Sequence, residues 1–176
     1  MRKLIIAACA VFMVMALAAC GGSASSGAST SSASAGLSVA AENLQDYGWI
    51  TFEMPEGWAD SKESDKYETI ADSANSKHMM KFMLNTLTAS YPTAADKAAT
   101  DIASETNHYT DAGKQFIGNF EWSLASFEFN GNPSVVAYAD AADGKCLKIT
   151  IYELGIDDPA VQTVLSSIKV NPDELW

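Results

Sequence analysis

His78, Met79, Met80 and Met83 place one imidazole and three thioethers close together in the chain, a donor set suited to Cu(I) because soft sulfur ligands favour that ion. On a strand, side chains alternate between faces, so His78 and Met80 would point one way and Met79 and Met83 the other. The cluster therefore reads first as adaptable core packing, with weak copper handling through His78 and Met80 as an alternative. His78 and His108 are the only imidazoles. A small hydrolase would need one of them to meet an acid and a nucleophile in a cleft. The chain contains no Gly-x-Ser-x-Gly elbow, Gly-x-Gly-x-x-Gly turn, phosphate-cradling loop or His-Glu-x-x-His helix. The expectation is a non-enzymatic protein without catalytic residues, metal site or cofactor. Asp140-Ala141-Ala142-Asp143-Gly144 lacks the alternating acids and distal Glu of a calcium loop and reads as a hairpin turn. Trp49, Trp58, Trp122, Tyr67, Tyr138 and Tyr152 could include a platform for a glycan or peptide, although core packing accounts for most such residues. Trp58, with Glu56 and Asp60, is the first place to look.

The elements that must position these residues are legible from periodicity. Trp49 to Met54 alternates as a strand and stops at Pro55-Glu56-Gly57-Trp58. Lys66 to Ala71 and His78 to Leu87 form a hairpin around Asn75-Ser76. The period then changes. Thr93 is a natural N-cap, Asp96 suits the first turn, and Ala95, Ala98, Ala99, Ile102 and Ala103 share one helical face. Strands follow at Lys114–Ile117, Trp122–Phe129, Val135–Ala139 and Cys146–Glu153. Gly118-Asn119, Asn130-Gly131 and Asp143-Gly144 join them into an antiparallel meander. In the last of these strands Leu147, Ile149 and Ile151 share a core face, whereas Cys146, Lys148, Thr150 and Tyr152 share a mixed one. Asp158 caps a final helix with Pro159 at its first position and Val161, Val164, Leu165 and Ile168 as its apolar stripe. Lys169 is expected near its end, complementing the dipole. The fold class is α+β, an antiparallel sheet layered with helices.

The amino-terminal segment has a different logic. Arg2 and Lys3 precede an apolar run from Leu4 to Ala19, which ends in Leu17-Ala18-Ala19-Cys20. A charged start, a short apolar run and small exit residues describe a secretory signal peptide. The run of 16 residues falls short of the roughly 20 needed to span a bilayer. Its end resembles the lipobox of bacterial lipoproteins. That resemblance implies cleavage between Ala19 and Cys20, with Cys20 as the lipid attachment site carrying a diacylglyceryl group into the bilayer. Residues 1–19 then form the signal peptide, and residues 20–38 the lipidated cysteine with a flexible Ser/Ala/Gly tether. Residues 39–176 form the single globular domain. The expected location is the cell membrane, lipid-anchored and facing the extracytoplasmic side. In a two-membrane envelope, Gly21 after Cys20 resembles lipoproteins sent to the outer membrane.

Composition narrows the partners. The net charge is −11, and loss of Arg2 and Lys3 with the leader makes the mature chain more acidic still. Such a surface repels nucleic acid and anionic headgroups, leaving cations, cationic peptides or neutral ligands as the electrostatically tolerated partners, and an extracytoplasmic protein, peptide or glycan is the expected partner class. Cys9 departs with the leader and Cys20 takes the lipid, so Cys146 has no intrachain disulfide partner. Phe52-Glu53-Met54-Pro55-Glu56-Gly57-Trp58, Asp143-Gly144-Lys145 and Val164-Leu165-Ser166-Ser167-Ile168-Lys169-Val170 together resemble PsbP-like domains. The resemblance spans most of residues 47–171 and implies an α/β/α sandwich with no shared catalytic site.

Overall fold

The computed structural model describes residues 43–61 and 67–175. The leader, Cys20, the tether and Lys66 lie outside the described residues. Ten strands and two α-helices are described, in the order β1 (Leu44–Asp46), β2 (Ile50–Glu53), β3 (Trp58–Asp60), β4 (Glu68–Asp72), β5 (Met79–Thr86), α1 (Ala94–Ala103), β6 (Thr110–Ile117), β7 (Phe120–Phe129), β8 (Asn132–Asp140), β9 (Lys145–Tyr152), α2 (Pro159–Ser167) and β10 (Lys169–Val170). A short 3₁₀ turn at Pro172–Glu174 follows.

The strands divide into two antiparallel sheets where the sequence suggested one. The larger has the order β3-β4-β5-β9-β8-β7-β6, and the smaller has β1-β2-β10. The strand read at Trp49–Met54 leaves the main sheet because β10 offers it a partner, with Lys169 opposite Thr51 and Val170 opposite Ile50. Lys169 consequently begins a strand instead of ending the helix as expected. The capping N–H of α2 is that of Ile168, which donates to the Val164 carbonyl.

One face of the large sheet carries Ile70, Met80, Phe82, Trp122, Leu124, Leu147, Ile149 and Ile151. It packs against Trp49, against Ile50 and Phe52 of the small sheet, and against Val161, Val164, Leu165 and Ile168 of the final helix. All four stripe residues of that helix are buried as expected, and each apolar side chain so hidden contributes about 1.5–3 kcal/mol. The opposite face carries Val136, Tyr138 and Cys146 beneath Ala94 and Ala98 of α1. The result is three layers: α1, the seven-stranded sheet, and the small sheet with α2.

The α1 helix has the expected cap. Thr93 and Asp96 bond reciprocally, each backbone N–H donating to the other's side chain at 3.2 Å. Its buried line only partly follows the expected face, of which Ala98 is buried and Ala95 and Ile102 are half-buried. Ala94, Ala98 and Asp101 are buried, whereas Ala99 and Ala103 are exposed. The cause is polar: Asp101 turns inward to meet partners on the sheet, while Ala95, Ala99, Ile102 and Ala103 line an open cleft against β6 and β7.

Candidate functional site

Asp101 accepts hydrogen bonds from the Tyr138 hydroxyl at 2.8 Å and the Lys148 ammonium at 3.0 Å, and also from the Lys97 ammonium. Burial pushes its carboxyl up, but the hydrogen bonds from Lys97, Tyr138 and Lys148 outweigh this and hold it below the usual range. The Tyr138 phenol is pushed far up by burial and by the same carboxylate. Lys148 also lies 5.2 Å from the Tyr138 ring centre and 5.9 Å from that of Tyr109. Two cations thus meet one anion at mostly buried positions, which is tolerable only because every member is hydrogen-bonded. The Asp140 carboxylate completes the attachment by accepting from the Ala94 N–H at 2.6 Å. Sequence reading missed this network because Asp101 sits in an alanine-rich helix; the available signal was its i,i+4 spacing from Lys97 and the mixed face of β9.

Beside it lies Cys146, fully buried. Burial, reinforced by the charge of Asp140, pushes its thiol up to about 12. A thiol held neutral and out of solvent is inert. Native protein treated with iodoacetamide is therefore expected to show no carbamidomethyl group at Cys146 by peptide mass mapping, and full modification once unfolded.

The same face of the large sheet continues beyond α1, which packs on β6, β7 and β8. Here aromatic rings form a belt. Tyr109 and Phe127 are 5.3 Å apart, Phe127 and Tyr152 6.1 Å, and Phe129 and Tyr152 4.9 Å between ring centres. Lys81 extends the belt onto β5, its ammonium 4.1 Å from the ring centre of Tyr67 and 5.9 Å from that of Tyr152. Phe129 is 39 % exposed, and Tyr67, Lys81, Tyr109, Phe127 and Tyr152 are half-buried. Register places them together: Met79 pairs with Tyr152 and Lys81 with Thr150, so Lys81 and Tyr152 share a face. Glu153 and Asn130 border the belt, both with left-handed backbone, and the Asn130 amide donates to the Glu153 carboxylate at 3.2 Å. A left-handed Glu is uncommon; its N–H is secured by the Ser134 hydroxyl oxygen at 2.9 Å.

The sequence-nominated residues divide between core and surface. Trp49, Trp122 and Tyr138 are buried core, whereas Tyr67 and Tyr152 join the belt. Trp58 lies in β3 and packs partly against the core. Its neighbours Glu56 and Asp60 are exposed, and Asp60 accepts from the Tyr47 hydroxyl at 3.1 Å. Met80 is fully buried in the core. His78 precedes the strand instead of lying within it, with one ring nitrogen 2.9 Å from the Asn75 amide and the other 3.4 Å from Asp72. Among the described residues, no three His, Cys, Asp or Glu side chains are grouped to hold a metal. His108 lines an open cleft of about 690 Å³ with Thr110, Ser126, Glu128 and Ser134. Its serine hydroxyls are directed to backbone, Ser126 toward the Thr110 carbonyl and Ser134 toward that of Asn132.

No family model matches this chain, and no curated protein matches it. Several solved structures are similar to it, two of them as follows. The solution structure of cyanobacterial PsbP (CyanoP) from Synechocystis sp. PCC 6803 is 13 % identical, covers 76 % of this chain and 96 % of that one, and superposes with a TM-score of 0.51. A crystal structure from Bacteroides thetaiotaomicron VPI-5482 is 11 % identical over 70 % of this chain, with a TM-score of 0.48; the chain spans 45 % of that protein's length. The layered domain with two helices on antiparallel sheets has a PsbP-like fold.

Proposed function

We propose that this chain is a lipid-anchored extracytoplasmic protein that presents its PsbP-like domain for binding or assembly, with the aromatic belt as the contact face. The observation that carries the binding reading is the belt itself, a set of half-exposed rings around a held ammonium on the open part of a sheet. Enriched aromatic and cationic groups at an uncovered surface are what interfaces use as anchors. The anchoring reading is supported by the charged start, the short apolar run and Cys20. Two acyl chains hold a protein stably at a bilayer, and a tether of this composition and 18 residues after Cys20 has an end-to-end distance of about 24 Å.

Two measurements test the reading. Cells fed a labelled fatty acid are expected to label the wild-type chain and not Cys20→Ala; equal label in both overturns the anchor. Lysine acetylation of intact envelopes, mapped by mass spectrometry, is expected to modify Lys81 far less than in the purified full chain. Equal modification in the two preparations overturns the contact face.

A further inference from the structure

The ligand class follows from what the belt offers and what it lacks. Lys81 is held between Tyr67 and Tyr152, and among the described residues it has no carboxylate within ion-pair distance. Of the other sheet lysines on this face, Lys148 is already committed to Asp101 and Lys114 to Glu121. The net charge of −11 repels a polyanion at long range, but salt screens that field beyond about 8–10 Å, so at contact an ammonium kept in place without an anion is a preorganised site for one brought by a ligand. The rings beside it stand edge to face, Phe127 and Tyr152 at 85° and Phe129 and Tyr152 at 68°, so each offers its own apolar area to a separate ring of a bound chain without demanding a particular hydrogen-bond pattern.

Backbone chemistry separates a polysaccharide from a peptide. An extended peptide gains affinity by pairing its N–H and C=O groups with a free strand edge. Tyr152 lies in β9, which is paired on both sides, with β5 and with β8, and Lys81 lies in β5, itself between β4 and β9. The ladder groups of these strands are therefore used within the sheet. The belt presents side chains only: stacking rings, phenol hydroxyls and one cation. A chain of pyranose rings bearing carboxylates needs nothing more.

Resting on the contact face argued above, we propose that the belt binds an acidic polysaccharide, with a carboxylate on the Lys81 ammonium and sugar rings against Tyr152 and Phe129. The test uses the full lipidated chain in detergent micelles, titrated calorimetrically with polygalacturonate, neutral dextran and poly-glutamate. Polygalacturonate is expected to bind, and dextran to bind at least about tenfold more weakly because it lacks the charge. Lys81→Met and Tyr152→Ala should each weaken polygalacturonate binding by about tenfold. Lys114→Gln, which removes an equal charge from the exposed Lys114–Glu121 pair, should leave it unchanged. Unaltered melting temperatures in the variants show that folding is intact.

Poly-glutamate binding as tight as polygalacturonate overturns the polysaccharide in favour of an acidic peptide. Equal weakening by Lys114→Gln overturns the site in favour of diffuse charge, and no binding of polygalacturonate overturns the ligand class. If that last result coincides with Lys81 protection on intact envelopes, the contact face stands and only the ligand is wrong; loss of both removes the face as well.

Discussion

Asp101→Ala is expected to destabilise the domain by about 3–5 kcal/mol, the cost typical of breaking a buried ion pair from one side. The substitution removes one carboxylate but strands three groups. Lys97 and Lys148, each with a side chain 16 % exposed, would face each other without an anion, and the Tyr138 hydroxyl would lose its acceptor. Asp101→Asn keeps the shape but loses the charge, and should fall between the two. Urea denaturation followed by tryptophan fluorescence measures all three. The pH dependence has a defined sign. A carboxyl held below its ordinary value contributes stability in full above the unfolded value of about 3.9, and that stability disappears as pH falls toward the lower folded value. The gap between wild type and Asp101→Ala should therefore stay constant from pH 7 to about 5 and narrow below about 4. A gap unchanged at pH 3 would mean that the loss came from packing instead of charge.

Gly118→Ala should cost about 3 kcal/mol, combining a left-handed backbone with overpacking of a closed contact. Gly118 sits at φ +61° in the turn joining β6 to β7, and a Cβ built there would lie 2.6 Å from the Ser166 carbonyl oxygen and 2.8 Å from its Cα. Those are backbone atoms of α2, which cannot rotate away as a side chain would. Gly131 supplies the comparison, since it has φ +78° with nothing within 4 Å of such a Cβ. Its alanine variant should lose only about 1 kcal/mol. Thermal melting of the two variants side by side separates conformational strain from collision. Equal losses would show that α2 yields at Ser166.

The two sites also mark where sequence reading succeeds and where it stops. The Gly118-Asn119 turn, the meander and the α2 stripe were all legible, because each depends on residues close together in the chain. Val161, Val164, Leu165 and Ile168 needed only a period of 3.6 to declare their common face. The Cβ collision with Ser166 was not legible, since nothing local says which helix will lie against a turn. The Asp101 network escaped for the same reason. An alanine-rich pattern at Ala95, Ala98, Ala99, Ile102 and Ala103 named the side that lines a cleft against β6 and β7, and a charged partner 47 residues away drew the buried line toward Asp101. Likewise the belt draws Tyr67, Lys81, Tyr109, Phe127, Phe129 and Tyr152 from separate strands and loops. Sequence nominated Tyr67 and Tyr152 among six aromatics, but only sheet register shows which neighbours they have.

The pairing of β2 with β10 carries a consequence for biogenesis. During synthesis β2 emerges early, while its partner and the α2 side chains that roof the main core emerge at the end of the domain. Ribosomes deliver about 5–20 residues per second, far slower than a hairpin forms. The β6–β9 meander thus has time to zip while the growing chain still lacks its lid. Cooperative closure must wait until Ile168 and Val170 are released, so the apolar face of that meander stays unroofed until translation of the domain is nearly complete.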